Sequence, residues 1–203
     1  MLVVISPAKT LDFDTPPHTS VFSQPEFLNE SKELVATLKE HSPQKLAALM
    51  SLSDKLAALN TARYENWSTP FNKKNAKQSV LAFKGDVYTG LQAEDFTESN
   101  ISYAQDHLRI LSGLYGVLRP FDLIQPYRLE MGTKLKTKEH ADLYGFWADK
   151  LAKKINQAAL ATGDNTLINL ASQEYFKALP TSSLECDVIT PVFTSHSRLL
   201  VGM

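Results

Sequence analysis

The loop Ser6-Pro7-Ala8-Lys9-Thr10 follows the first apolar run of the chain. Loops that leave a buried strand often hold functional groups. Lys9 has two chemistries open to it. It can serve as a point charge for a phosphate, or, once desolvated, as an amine that forms a Schiff base. The plainer alternative is a solvated surface lysine. The glycines that bare backbone N–H groups in a Walker loop are absent here. Phe83-Lys84-Gly85-Asp86-Val87-Tyr88-Thr89-Gly90 sets a cation, an acid and a phenol among two glycines. It reads either as a ligand loop or as an exposed Lys84–Asp86 pair beside a turn. Gln125-Pro126-Tyr127-Arg128-Leu129-Glu130 joins an aromatic ring to a guanidinium, which suits a phosphate or a nucleobase. Arg128 and Glu130 can equally pair across one face of a strand.

In Leu108–Pro120 an apolar run meets Gly113 and Gly116, then Arg119 and a proline stop. Glycines at that spacing allow a tight turn and close approach, to a phosphate or to the core. Read as lying between two helices, Gly113, Tyr115 and Gly116 loosely match the turn of a helix-hairpin-helix element. Such a turn offers backbone N–H groups to DNA phosphates without reading sequence. On the residues alone a structural turn is the simpler reading.

Other chemistries find no support in the sequence. His18, His41, His107, His140 and His196 are not spaced as metal ligands, so no metal is expected. There is no Gly-x-Ser-x-Gly elbow and no dinucleotide fingerprint, so neither a catalytic residue nor a cofactor can be named. The single cysteine, Cys186, excludes an internal disulfide and reads as a buried strand residue. Net charge is −1, which by itself points to no nucleic acid partner. Charge is uneven, however. Residues 63–84 carry Arg63, Lys73, Lys74, Lys77 and Lys84 against Glu65 alone, enough for a local basic surface. No run is long enough to span a membrane, and Met1–Ile5 lacks the basic start of a signal peptide. A cytoplasmic protein is expected.

The elements that must position these residues follow from periodicity. Leu2–Ile5 is a buried strand ended by Pro7. Helices are expected over 24–40, from Pro43, after a Ser53 cap, over 75–83, over 97–107 and over 139–160. Residues 83–91 read as a loop or strand edge. Residues 108–111 read as a strand or as the end of the 97–107 helix, and strands are expected at 166–170 and 186–193, with a short helix from Ser172 to Leu179. The expected class is a mixed α/β or α+β fold forming one domain over residues 1–203.

Taken together, several ordered segments resemble the YaaA peroxide-stress family. They are Ile-Ser-Pro-Ala-Lys-Thr-Leu at 5–11, Ser-Asp-Lys-Leu-Ala at 53–57 and Phe-Lys-Gly-Asp-Val-Tyr-Thr-Gly-Leu at 83–91. The others are Leu-Ser-Gly-Leu-Tyr-Gly-Val-Leu-Arg-Pro at 111–120, Gln-Pro-Tyr-Arg-Leu-Glu-Met-Gly at 125–132 and Ile-Asn-Leu-Ala-Ser-Gln-Glu-Tyr-Phe at 168–176. The resemblance implies a bacterial, cytoplasmic protein that limits free iron and oxidative DNA damage under peroxide. It implies a fold peculiar to the family, with a cationic cleft and a helix-hairpin-helix-like element that bind duplex DNA without strong sequence specificity. Lys9, Lys84, Arg119, Tyr127 and Arg128 would line that cleft, with Gly113, Tyr115 and Gly116 as the hairpin. The alternative is an enzyme acting on a nucleotide, a nucleobase or damaged DNA, with Lys9 and Asp86 in its pocket. After Phe193 the sequence departs from the family pattern, as if truncated or frameshifted.

Overall fold

A computed structural model describes residues 1–192. The fold is mixed α/β, as expected, and is organised by one five-stranded sheet. The chain opens with β1 (Leu2–Ile5) and the two-residue β2 (Thr10–Leu11). Three helices follow: α1 (Leu28–Lys39), α2 (Pro43–Met50) and α3 (Asp54–Asn66). The starts of α2 and α3 are set as the sequence predicts. Ser42 and Ser53 each accept a backbone N–H three residues on, and Pro43 occupies the first helical position.

The middle of the chain is cut more finely than periodicity suggests. Residues 75–83 are not one helix but β3 (Lys77–Gln78) followed by a single turn, α4 (Ser79–Ala82). Residues 83–91 form β4 (Phe83–Lys84) and then α5 (Asp86–Leu91). The reason is tertiary. Lys77 and Gln78 pair with β7 (Leu123–Ile124), and Thr10 and Leu11 pair with Lys84 and Phe83, overriding the local helical pattern. A 3-10 turn at Ala93–Asp95 leads to α6 (Glu98–His107), which starts at a Thr97–Asn100 capping box.

β5 (Leu108–Ser112) is fully buried, and β6 (Gly116–Leu118) runs antiparallel to it. Then come α7 (Leu143–Ala161), broken at Ala148, β8 (Thr166–Asn169), α8 (Gln173–Phe176), a 3-10 turn at Thr181–Ser183 and β9 (Asp187–Ile189). The sheet order is β6-β5-β1-β8-β9. β1 is central and runs parallel to both β5 and β8. The expected strand over 186–193 is thus observed at Asp187–Ile189, while Phe193 and the residues after it lie outside the described ones.

The placing of a helix-hairpin-helix turn at Gly113, Tyr115 and Gly116 is corrected here. The glycine turn joins two antiparallel strands, not two helices. Gly113, Leu114, Tyr115 and Gly116 are all buried, so their backbone N–H groups do not face solvent. A Cβ on Gly113 would stand 2.3 Å from the Leu129 carbonyl oxygen. Gly116 has φ +70°, and a Cβ there would meet Trp147 and Leu151 at 2.8 Å. Both glycines are needed for close packing on the core.

Candidate functional site

Parallel neighbours release their following loops at the same end of a sheet, where open α/β folds build their sites. β1 leads into the Ser6–Lys9 loop, and β8 leads into α8. The two loops are stitched together there. The Ser172 N–H donates to Ser6 Oγ at 2.9 Å, and the Tyr88 hydroxyl donates to the Ser6 carbonyl at 2.9 Å. β5 ends at the same side. Because Gly113 lacks a side chain, the Leu129–Glu130 backbone crosses directly over it. That crossing delivers Arg128 and Glu130 to Lys9.

The result is a hollow of about 330 Å³ lined by Lys9, Met50, Arg128, Glu130, Gly132, Thr133 and Glu174, among others. Lys9 Nζ lies 3.1 Å from Glu130 Oε2, and Arg128 Nη2 donates to Glu130 Oε1 at 2.8 Å. Arg128 and Glu130 therefore pair, one of the two readings of their spacing. Glu174 Oε1 accepts the Gly132 N–H at 2.8 Å. The Tyr64 hydroxyl donates to the Arg128 carbonyl and fixes its backbone. Arg128 Nε is buried without a hydrogen-bond partner among the described residues. Two cations thus face two carboxylates. The hollow itself is charge-balanced rather than a purely cationic cleft.

The remaining expected residues scatter. Lys84 belongs to a different cluster, because the β2–β4 register sends it with Thr10 and Asp12 to one side of that ladder. Its Nζ is 3.8 Å from Asp12 Oδ2, and the buried Lys77 donates to the Asp12 carbonyl at 2.8 Å. Arg119 pairs with the buried Asp122 at 3.3 Å, which also accepts the Ser23 hydroxyl. It fastens the segment that carries Ser23 and Gln24 rather than lining the hollow. Tyr115 is fully buried and its hydroxyl accepts the Trp67 indole N–H at 3.0 Å. Tyr127 is buried against Ser112, and burial raises its phenol well above the usual range. Both rings are core, leaving no face for a nucleobase. Asp86 opens α5, exposed, and does not line the hollow that holds Lys9. The basic stretch 63–84 is likewise not one face, since Lys77 is buried while Lys73 and Lys74 are exposed.

Asp12 yields a testable consequence. Its carboxylate accepts the Thr15 and Asp14 N–H groups at 2.9 and 3.0 Å and lies 3.7 Å from Lys77. The Thr15 hydrogen bonds, with Lys77 adding to them, pull its pKa down to about 2. An ordinary carboxyl in the unfolded chain titrates near 3.9. The stability due to Asp12 is therefore complete above about pH 4 and is lost as pH falls through about 2. Asp12→Asn is expected to flatten the acid limb of stability across that window. Urea melts at a series of pH values would read this, and an unchanged limb would rule Asp12 out as its source.

Two features of the site lay outside the sequence reading. Glu174 had no local signal. Lys134, Lys136 and Lys138 did have one, the alternation Thr-Lys-Leu-Lys-Thr-Lys at 133–138. In the structure Thr133, Leu135 and Thr137 are buried while the three lysines are exposed. Such alternation is that of extended chain, which sets Lys134 and Lys136 roughly 6.6 Å apart, with Lys138 at the bend that follows. The stripe leaves the hollow directly, because Gly132 and Thr133 are part of its wall. Among the described residues no three His, Cys, Asp or Glu side chains converge as a metal site. No helix among them is long and apolar enough to cross a membrane.

A mixed α/β sheet protein with a polar hollow at the ends of its parallel strands, continued by a lysine edge, is the class these observations define. Compared with known families, the chain matches the one described as Peroxide stress protein YaaA over residues 1–199. It belongs to that family. The match runs past Phe193, where the sequence was expected to depart.

Proposed function

We propose that this protein binds double-stranded DNA without strong sequence specificity, and that it does so in the peroxide response to limit intracellular iron and oxidative damage to DNA. The observation that carries the reading is the exposed stripe Lys134, Lys136, Lys138 running out of the hollow that holds Lys9 and Arg128. Lysines on an extended edge meet phosphates as point charges and carry no base readout. Membership of a peroxide stress family supports the physiological setting. A physical link joins DNA binding to the protection of DNA from oxidation. Each phosphate contact releases condensed counterions. Lysines on the backbone thereby displace Fe(II) from the place where it would reduce peroxide to hydroxide and hydroxyl radical beside the bases.

The test is duplex binding against salt. Log affinity is expected to fall with log salt at a slope near −0.9 per phosphate contact. Replacing Lys134, Lys136 and Lys138 together with alanine is expected to flatten that slope by about 2.7 and to weaken binding equally across unrelated sequences. A salt-independent affinity, or a triple variant with the parental slope, would sink the assignment to this edge.

A further inference from the structure

Phosphate binding would use only the charge of Lys9; its Nζ, solvated rather than desolvated, also has a carboxylate placed to take its proton. Its side chain is 67% exposed, so Nζ is reachable from the hollow. Glu130 stands 3.1 Å away with its other oxygen already held by Arg128 at 2.8 Å. One carboxylate oxygen is thus fixed in place and the second is on the amine, the arrangement of a nucleophile with its proton acceptor. Asp86, the acid that the sequence suggested for this role, is elsewhere.

We propose that Lys9 captures the open-chain aldehyde of an abasic site in duplex DNA as an imine, with Glu130 moving the proton. The proposal rests on the DNA-binding reading. A hollow of about 330 Å³ lies at the small end of the range for ligand pockets, and a sugar that has lost its base asks for less room than a whole nucleoside. Abasic sites are also the lesion in DNA that carries an aldehyde at C1′, and hydroxyl radicals create them. A flipped sugar gives a lysine at the rim access to that carbon, and a site without a base costs least to extrude.

The step balances without an added oxidant or reductant. The Lys9 ammonium passes a proton to Glu130. The free amine adds to C1′, a C–N bond forms, and the carbonyl electron pair goes to oxygen, which takes up the proton released from nitrogen. Glu130, now a carboxylic acid, protonates the carbinolamine hydroxyl. The C–O bond breaks, water leaves, and a protonated imine remains on Lys9 with Glu130 ionised again. The imine is reversible, so the complex covers the lesion and can release it.

Borohydride reduces such an imine to a stable secondary amine, and this supplies the test. The protein is saturated with a duplex carrying one abasic site, treated with borohydride and resolved on a denaturing gel. The cross-linked peptide is then mapped by mass spectrometry. A covalent adduct on Lys9 is expected. At saturating DNA, Lys9→Arg keeps the cation but is expected to lose at least tenfold in adduct, and Glu130→Gln is expected to slow its formation by roughly 10²-fold. An adduct on Lys134, Lys136 or Lys138, or an undiminished one in Lys9→Arg, overturns the proposal. A duplex with a reduced abasic sugar, which has no aldehyde, separates the two readings. If it is bound and the aldehyde duplex gives no adduct, capture fails and DNA binding stands. If neither duplex is bound, DNA binding fails and capture goes with it.

Discussion

Gly113→Ala is expected to destabilise the fold by about 3 kcal/mol or more. Overpacking a tight core costs roughly 1–3 kcal/mol when neighbours can shift. Here the neighbour is backbone, the Leu129 carbonyl oxygen at 2.3 Å from the added carbon, with Leu129 and Glu130 carbonyl carbons at 3.0 and 3.1 Å. Nothing flexible can give way. For a chain of about this length each kcal/mol lowers the melting temperature by roughly 2–4 °C, so the fall should be about 6–12 °C. The displaced segment also carries Arg128 and Glu130, so the ion pair on Lys9 should loosen with it. Gly90→Ala is the control. Gly90 lies within helix α5 with open space around it, and alanine there should stabilise by up to about 1 kcal/mol. Thermal melts of the two variants decide the matter. Equal melting temperatures would mean that the Leu129–Glu130 backbone does not cross Gly113 as described.

Trp147→Ala is expected to cost about 3–5 kcal/mol, the usual range for deleting a buried large aromatic ring. Trp147 is fully buried, and its indole N–H donates to the Gly113 carbonyl at 2.9 Å. The ring packs edge-on against Phe27 and Phe146, with centroids 5.6 and 5.0 Å away, and fills the space over Gly116. Trp147→Phe separates packing from hydrogen bonding. Phenylalanine restores most of the ring but leaves the Gly113 carbonyl unpaired, at a cost of about 1–3 kcal/mol. The expected order in chemical denaturation is parent, then Phe, then Ala. A Phe variant as stable as the parent would remove the hydrogen bond from the account.

The sequence exposed the parts of this fold that local rules govern. Pro43 and the Ser53 cap marked helix starts, and continuous apolar runs marked β1 and β8, while the run at 108–111 fitted a strand or a helix end. It was silent where partners lie far away in the chain. Lys77 and Gln78 look helical until Leu123 and Ile124 pair with them. Gly113 and Gly116 look like a phosphate turn until the Leu129 backbone and Trp147 are seen above them. The site divides along the same line. Lys9 and Arg128 were legible as residue types, and the Arg128–Glu130 pair was legible from their spacing. That Glu130 also reaches Lys9, and that Glu174 closes the hollow, follow from sheet order. Lys134, Lys136 and Lys138 are legible as a period of two, but only the buried Thr133, Leu135 and Thr137 between them show which face meets the core.

The central place of β1 also sets a clock. Val3 pairs with Leu108 on one side and with Ile168 on the other. A ribosome adding about 5–20 residues per second needs roughly 5–20 s to supply the first partner and about 8–33 s to supply the second. Through that interval the most apolar strand of the sheet is a finished segment without its two neighbours, while the α1–α3 helices and the β2, β4, α4 and α5 segments already have contacts to make among themselves. Non-local pairings of this kind slow folding and leave chains prone to aggregate. The lag between synthesis and a finished sheet is thus built into the strand order, and whatever shields the nascent amino-terminal strand through it sets how much of the chain escapes aggregation.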